Sequence, residues 1–217
     1  MKGDALRASV LAVKMIPNVN EAMIKELNLD PAHRSVGILT MDCDDVGYTA
    51  LDEATKKAEV KVAYAKSFYG GADNANTKLA GEFIGILSGP TPAEVKSGID
   101  AAIEFAENDA CFYSANEDDS IAYYAHCVSR TGSHLAETAG ITEGEALAYL
   151  IAPPLESIYA LDAAMKAADV EMVAFFGPPS ETNFGGGLLT GSQSACKAAC
   201  DAFADAVNQV ADNPLRY

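Results

Sequence analysis

The amino-acid sequence repeats itself after about half of its length. Residues 50–62 read ALDEATKKAEVKV, and residues 160–172 read ALDAAMKAADVEM. At an offset of 110 residues, seven of these thirteen positions are identical. In a chain of 217 residues, such a period is most simply explained by two copies of one domain. We therefore predict one domain over residues 1–108 and a second over residues 109–217.

Two further matches follow the same order along the chain. Residues 94–104 (EVKSGIDAAIE) align with residues 195–205 (ACKAACDAFAD), and residues 9–27 align more weakly with residues 122–138. Each half is then predicted to run strand, short helix, strand, helix, strand, strand, helix. This order is typical of an α/β (α+β) domain in which a mixed or antiparallel sheet has its helices on one face.

Composition and charge restrict the class of protein. The chain is 49% hydrophobic and 21% charged, as ordinary globular proteins are, and no apolar run reaches the ~20 residues of a membrane span. The net charge of −16 would repel nucleic acid and anionic membrane surfaces, so we expect neither as a partner. Five cysteines without a CxxC pair and three scattered histidines predict no metal site.

Two segments between the predicted elements stand out. Residues 177–187 (GPPSETNFGGG) are predicted to form a long loop, to which the three glycines give conformational freedom. Residues 107–119 join the halves and contain Cys111, Phe112 and Tyr113. A plain linker would not need this aromatic pair, so we expect the segment to pack against another surface or a pore.

Residues 160–176 (ALDAAMKAADVEMVAFF) and 187–207 (GLLTGSQSACKAACDAFADAV) resemble the bacterial microcompartment (BMC) shell domain. That domain has an alanine-rich helix with one lysine, a Val-Glu-apolar strand, a second apolar strand and another alanine-rich helix. Both halves resemble its permuted form, in which a strand pair comes first. The whole chain resembles the tandem permuted shell proteins of the ethanolamine-utilisation microcompartment, for example through DDVGYTALDEATK (44–56), APPLES (152–157) and PPSETN (178–183).

The resemblance implies a structural protein rather than an enzyme. Three chains would form a homotrimer of six domains, a pseudohexagonal disc that tiles edge to edge with other shell proteins of a microcompartment in the bacterial cytoplasm. A duplicated domain can replace a sixfold ring by a threefold one. Lys56 and Lys166 match the family's edge lysine, whereas the alternative is an ordinary solvated lysine.

Six acids fall at predicted element ends or in loops: Asp42, Asp44, Asp45, Glu82, Glu156 and Glu181. A small ammonium alcohol needs one or two carboxylates for its charge and further acceptors for its N–H and O–H groups. The resemblance implies an ethanolamine site in an acidic small pore, formed by Asp44, Asp45, Glu82, Glu156 and Glu181, with Phe112, Thr182 and Asn183 nearby. Alternatively, Asp44 or Asp45 only caps the helix that follows, and Glu156 only favours a helix N-terminus.

The resemblance also implies a larger central pore that loops 66–78 and 107–119 open and close. Tyr69, Phe112 and Tyr113 would plug the closed form, and Gly70 and Gly71 would permit the motion. The alternative is a static loop packed by its aromatic residues. No cofactor is required on this interpretation, although the central pore would allow the passage or weak binding of cobalamin.

Two other functions are alternatives to the shell protein, a small-molecule enzyme and a soluble small-cation-binding sensor. A small-molecule enzyme would need a phosphate loop or a nucleophile site. The triple glycine lacks both GxGxxG and GKS/T, and Ser129 and Thr131 near His126 or His134 have no indicated acid partner. A soluble small-cation-binding sensor would use the acids without assembly. We therefore predict no catalytic residue.

Overall fold

The computed structural model describes residues 1–69 and 77–216. The chain forms two compact units, each assembled mainly from one half of the sequence. The first unit comprises Arg7–Ala110 together with Gly132–Leu135, and the second comprises Met1–Leu6, Cys111–Thr131 and Ala136–Tyr217. The units thus differ from contiguous domains 1–108 and 109–217 in the placement of residues 1–6, 109–110 and 132–135.

Apart from a short additional strand at the start of each half, β1 and β6, the elements follow one another in the predicted order. The first half of the sequence forms β1 (Ala5–Leu6), β2 (Val10–Ile16), α1 (Glu21–Glu26), β3 (Ser35–Met41), α2 (Asp44–Lys57), β4 (Lys61–Ser67), β5 (Phe83–Gly89) and α3 (Pro92–Asn108). The second half forms β6 (Phe112–Ser114), β7 (Ala122–Val128), α4 (Ser133–Ala139), β8 (Ala146–Ala152), α5 (Pro154–Ala167), β9 (Val170–Phe176), β10 (Gly185–Gly191) and α6 (Gln193–Asp212). None of the helices in the described ranges is long and apolar enough to cross a bilayer.

The two sheets repeat one antiparallel topology. The first unit contains a four-stranded sheet in the order β2-β3-β5-β4. The second contains a six-stranded sheet in the order β1-β6-β7-β8-β10-β9, of which the last four strands repeat the first sheet. The predicted fold class is therefore confirmed, and each strand of the repeat from β2 to β10 has seven residues, apart from the added strand β6.

The repeat extends to an irregularity of the edge strand. In β4 the pairing with β5 passes from Val62 to Tyr64, so that Ala63 is an extra residue. In β9 the pairing with β10 passes from Ala174 to Met172, so that Val173 is the extra residue. Ala63 and Val173 stand at the offset of the sequence repeat. A β-bulge locally increases strand twist, and both halves have kept it at the same point.

Small side chains set the distance between helices and sheet. In the second unit, Ala160 and Ala164 of α5 pack with Ala199 and Phe203 of α6 against one face of β8, which includes Leu150. These five residues are almost or wholly excluded from solvent. The alanines allow close backbone approach, and the buried apolar surface supplies most of the stabilisation, at roughly 25 cal/mol per Å².

The predicted loop 177–187 is too long by three residues. Gly185, Gly186 and Gly187 begin β10 and pair with β8, so the connection between the strands covers residues 177–184. A Cβ atom at Gly186 would lie 1.9 Å from the backbone oxygen of Leu150. The glycines therefore permit a close approach of backbones within the sheet, and do not give a loop freedom.

Candidate functional site

The chain passes from β3 into α2 through three acids. Asp44 and Asp45 occupy the first turn of α2 and are buried, whereas Asp42 precedes them and is exposed. The predicted capping role of Asp44 or Asp45 is wrong, because the N-cap residue is Cys43, whose side chain makes no capping hydrogen bond. The two acids instead stand where the partial positive charge of the helix N-terminus favours carboxylates.

Glu82 joins these acids from the residue before β5. Its backbone N–H donates to the carbonyl oxygen of Met41 at 2.9 Å, and its own carbonyl oxygen accepts the N–H of Phe68 at 3.0 Å. These bonds fix Glu82 beside the end of β3. Partial burial raises the pKa of the Glu82 carboxyl, and the negative charges of Asp44 and Asp42 raise it further. We call Asp42, Asp44, Asp45 and Glu82 the acidic cluster.

One member of the acidic cluster has a structural task. Oδ1 of Asp42 accepts the backbone N–H of Ser9 at 2.6 Å, and the N–H of Asp42 donates to the carbonyl oxygen of Ser9 at 3.3 Å. This pair of bonds ties the residue before β2 to the end of β3. Asp42 therefore contributes negative charge to the cluster while one of its oxygens is already occupied.

Two polar neighbours of the acidic cluster, Tyr48 and Cys43, were not predicted from the sequence. The hydroxyl group of Tyr48 shares a hydrogen bond with that of Ser67 at 2.8 Å. Burial raises the pKa of Tyr48, and the charges of Asp44 and Asp45 add to this effect. Burial also raises the pKa of the Cys43 thiol, again with help from Asp45. Tyr48 follows Asp44 by one helical turn, a spacing that could have indicated it.

The remaining predicted ligand residues lie in the second unit. Glu156 occupies the first turn of α5 and is half-buried, while Glu181 and Asn183 are exposed in the connection between β9 and β10. Thr182 is buried, and its N–H donates to Oγ of Ser180 at 3.3 Å. The structure thus brings four of the predicted acids together in the first unit, and it places Glu156 and Glu181 in the other.

The predicted gate residues have different surroundings. Phe112 is not in a loop: it begins β6 and is buried, with its ring centroid 5.2 Å from that of Tyr124 and 5.9 Å from that of Phe184. Tyr113 is partly exposed beside Tyr123, and Tyr69 is exposed after the end of β4. Gly70 and Gly71 lie outside the described residues.

The two predicted edge lysines differ in exposure. The side chain of Lys56 is 21% exposed and contacts Glu53 at 2.5 Å and Asp52 at 3.7 Å. The side chain of Lys166 is 74% exposed and pairs with Asp162 at 2.6 Å. Lys166 therefore has the accessibility that an edge contact requires, whereas Lys56 is held within its own helix.

The acidic cluster combines buried and partly buried carboxylates with the neighbouring hydroxyl group of Tyr48. Within the described ranges, no group of three or more histidine, cysteine, aspartate or glutamate side chains has an arrangement suited to a metal ion. Buried and partly buried carboxylates that repel one another, next to hydroxyl groups, instead suit an organic cation that brings several N–H donors. The ligand and gate roles of all these residues stay predictions.

Comparisons with known proteins identify the family. The family model described as the BMC domain matches residues 35–116. The bacterial microcompartment shell protein EutL of Clostridium perfringens (strain 13 / Type A) is 69% identical over 217 residues, which cover all of both chains. The crystal structure of the ethanolamine utilization protein EutL from Leptotrichia buccalis C-1013-b is 77% identical, with a TM-score of 0.97 and full coverage of both chains.

A more distant structure has the same fold. The crystal structure of a trimeric bacterial microcompartment shell protein PduB matches with a TM-score of 0.74 at 18% identity, and the match covers 94% of this chain and 89% of that one. The names of the close relatives describe shell proteins, which confirms the prediction of a structural rather than a catalytic role. The chain belongs to the EutL family of bacterial microcompartment shell proteins.

Proposed function

We propose that this shell protein forms a homotrimer with a gated central pore, and that its acidic cluster binds ethanolamine and passes it through a small pore. The acidic cluster is the observation on which the ligand rests. Two units of equal topology per chain support the trimer, because three such chains supply six similar domains to one ring. PduB, a shell protein of the same fold, is named as trimeric.

The electrostatics of the cluster favour a small ammonium ion. Asp44, Asp45 and Glu82 are buried or partly buried acids in the first unit, and the raised pKa of Glu82 reflects desolvation and the negative charges of Asp44 and Asp42. A bound ammonium group would offset these negative charges with its positive charge and donate up to three hydrogen bonds to the carboxylates. The hydroxyl of such a ligand can both donate and accept a hydrogen bond, and the hydroxyl of Tyr48 on α2, whose pKa is raised by burial and by Asp44 and Asp45, is a candidate partner.

Larger molecules would need a different route. Tyr69 is exposed at the start of the stretch in which gating is predicted, where a side chain can occupy a pore or leave it. On this proposal the central pore admits larger solutes such as cobalamin, while the acidic small pores select small cations.

The first experiment tests assembly. Sedimentation-velocity ultracentrifugation of the purified chain should give a species of three times the chain mass, and negative-stain electron microscopy should show discs or sheets. A monomer that still binds ethanolamine would favour the soluble small-cation-binding sensor and would contradict the shell assembly.

The second experiment tests the ligand by isothermal titration calorimetry with ethanolamine. Glu82→Gln and Asp45→Asn should each weaken binding about tenfold or more, because each removes a charge-assisted hydrogen bond. The control Glu104→Gln makes the same substitution at an exposed glutamate of α3 and should leave the affinity unchanged. Equal affinities in all four proteins would contradict the proposed site.

Ethanolamine binding should also depend on pH in a defined direction. The pKa of Glu82 is raised, so lowering the pH from 7.5 toward its folded value protonates this carboxyl and should weaken binding of a cation. In Glu82→Gln this part of the pH dependence should disappear. Calorimetry of both proteins across this range checks the prediction, and parallel pH profiles would contradict it.

A further inference from the structure

Helix α5 has an exposed face whose counterpart on α2 is covered. Leu155, Ile158 and Tyr159 follow one another at helical spacing and are 62%, 47% and 50% exposed. At the repeat offset they correspond to Asp45, which is buried, to Tyr48, which is half-buried, and to Thr49, which is buried. We call Leu155, Ile158, Tyr159, Asp162 and Lys166 the open face of α5.

The same contrast holds for the acid that both helices share. The side chain of Asp162 is 60% exposed, whereas that of its counterpart Asp52 is 1% exposed. Both helices have fourteen residues and both have a lysine four positions after this acid. The difference therefore lies in what covers each helix, and not in the helix itself.

On α2, the covering segment is Gly132–Leu135, which belongs to the first unit. Oδ2 of Asp52 accepts the N–H of Gly132 at 2.8 Å, and its Oδ1 accepts the N–H of Leu135 at 2.9 Å. Oγ1 of Thr55 accepts the N–H of Ser133 at 3.1 Å.

Ring packing and a close approach complete this contact. The ring of His134 lies parallel to that of Tyr48, with 6.2 Å between centroids. At Gly132 an added Cβ atom would lie 2.3 Å from Oγ1 of Thr55, so the backbone of the segment touches the helix surface. Residues 132–135 therefore contact α2 through both hydrogen bonds and aromatic packing.

The repeat identifies the segment that corresponds to Gly132–Leu135. Strands β2 and β7 end at Ile16 and Val128, and helices α1 and α4 begin at Glu21 and Ser133. Residues 20–23 therefore stand where residues 132–135 stand in the second half. Met23 is 47% exposed, although its counterpart Leu135 is 2% exposed. Among the described residues, each chain thus has an exposed helix face on α5 and an exposed segment, residues 20–23, of the kind that covers such a face on α2.

We propose that the open face of α5 binds residues 20–23 of a second copy of this chain, in the geometry with which α2 holds Gly132–Leu135. Asp162 turns from Lys166 to accept the backbone N–H groups of residues 20 and 23 of that copy, and Met23 of the copy becomes buried as Leu135 is. The inference rests on the proposed trimer and assigns its interface. A contact of one face with a different segment is head-to-tail, and three such contacts close a ring.

Sedimentation velocity over a dilution series tests the assignment with two matched pairs. Asp162→Ala should raise the dissociation constant of the trimer about tenfold or more, because it removes the central polar contact of the interface. Asp201→Ala is its control, since Asp201 is 63% exposed and forms the same ion pair with Lys197 on α6. Met23→Asp should dissociate the trimer, whereas Leu215→Asp, at a residue that is 94% exposed, should not.

The outcomes separate the inference from the proposed function. If the unsubstituted protein is trimeric and both Asp162→Ala and Met23→Asp remain trimeric on dilution, the interface is wrong while the shell assembly stands. If the unsubstituted protein is a monomer at all concentrations, the proposed assembly itself fails. Circular dichroism of each variant at high concentration checks that the chain has folded.

Covalent cross-linking gives a second, independent readout. The ring contact between His134 and Tyr48 corresponds to Ala22 of one copy facing Ile158 of another. The double variant Ala22→Cys with Ile158→Cys should give cross-linked chains with a short bis-maleimide on a denaturing gel. Each single variant controls for the five native cysteines and should stay uncross-linked. Absence of cross-linking in the double variant, where the trimer is present, would overturn the inference.

Discussion

One pair of equivalent residues differs in burial between the two units. Asp52 and Lys56 in the first unit correspond to Asp162 and Lys166 in the second, yet Asp52 is buried beneath two backbone N–H donors while Asp162 is exposed and paired with its lysine. The repeated sequence gives a helix of the same length in both units. The segment that lies on the helix decides whether the acid stabilises the chain or remains available for a partner.

A second duplicated pair shows that this difference is local. Lys96 with Asp100 on α3, and Lys197 with Asp201 on α6, are exposed ion pairs in both units. Exposed pairs of this type contribute only about 0.3–0.5 kcal/mol to the free energy of unfolding, so neither pair is important for the stability of its unit. The units therefore diverge at one helix face and remain alike at another.

The acidic cluster is a further point of divergence. Strands β5 and β10 begin at Phe83 and Gly185, so Phe184 occupies in the second unit the position that Glu82 has in the first. The first turn of α5 has proline and leucine, Pro154 and Leu155, where α2 has two aspartates. One fold thus supports a charged site in one unit and an aromatic cluster in the other.

The largest effect is expected where the second unit depends on a glycine that the first unit lacks. Gly186→Ala places a Cβ atom against the backbone oxygen of Leu150 and should lower the free energy of unfolding by about 3 kcal/mol or more, because backbone cannot move aside cheaply. Ile84→Ala at the equivalent position of β5 should cost about 1–2 kcal/mol, less than for a fully buried isoleucine, because Ile84 is half-buried. Urea denaturation at one fixed protein concentration compares the two, and equal midpoints would contradict the difference between the strands.

Removing the buried acid should have the next largest effect. Asp52→Ala leaves the N–H groups of Gly132 and Leu135 without their acceptor and should lower the free energy of unfolding by about 2–4 kcal/mol. Asp100→Ala breaks an exposed pair of the same spacing and should cost less than about 0.5 kcal/mol. If thermal denaturation shows the same loss for both variants, the buried contact has no special role.

These contrasts show what the sequence could and could not predict. The identities at the repeat offset predicted the order of elements, because helical and strand patterns are local properties of a segment. The same identities made Lys56 and Lys166 look equivalent, and only the covering segment at Asp52 distinguishes them. Such a contact joins residues that are 80 positions apart in the chain, and no local pattern indicates it.

The candidate site divides in the same manner. Asp42, Asp44 and Asp45 are neighbours in the sequence, so their proximity was predictable, and Glu82 joins them because β5 pairs with β3. Composition predicts a loop at the triple glycine, because it does not distinguish a flexible glycine from one that is required by close strands. The sequence predicts a linker at Phe112, because the three residues of β6 are too few for a periodic strand pattern.

A smaller effect is expected for the reactivity of the Cys127 thiol in the second unit, which has no counterpart in the first. A hydrogen bond with Cys200 lowers the pKa of Cys127 to about 7, whereas the corresponding positions in the first unit are Met15 and Ile99, which have no thiol. The rate of iodoacetamide labelling at Cys127, followed by mass spectrometry, should rise through pH 7, because the thiolate is the reactive form. In Cys200→Ala, which removes the hydrogen-bond donor, the rise should move to higher pH, and an unchanged profile would contradict the coupling.

The smallest effect concerns the free energy of unfolding, which the charge of Glu82 in the acidic cluster lowers. A folded pKa above the unfolded value means that the folded chain binds more protons, so stability falls as the pH rises through this interval. Glu82→Gln should therefore raise the free energy of unfolding at pH 7 by up to about 1 kcal/mol, since solvent screens a partly exposed charge. Denaturation at pH 4 should show no difference, and a stabilisation that is larger at low pH would contradict this sign.

The exchange of short segments has a consequence for how such a protein can be recombined. Residues 1–6 supply β1 to the sheet of the second unit, and residues 132–135 cover Asp52 in the first. A chimera of two relatives joined between residues 108 and 109 would pair each half with a foreign strand or a foreign cover. Crossovers should therefore succeed only between parents that match at both segments, so two halves that began as interchangeable modules must now be inherited together.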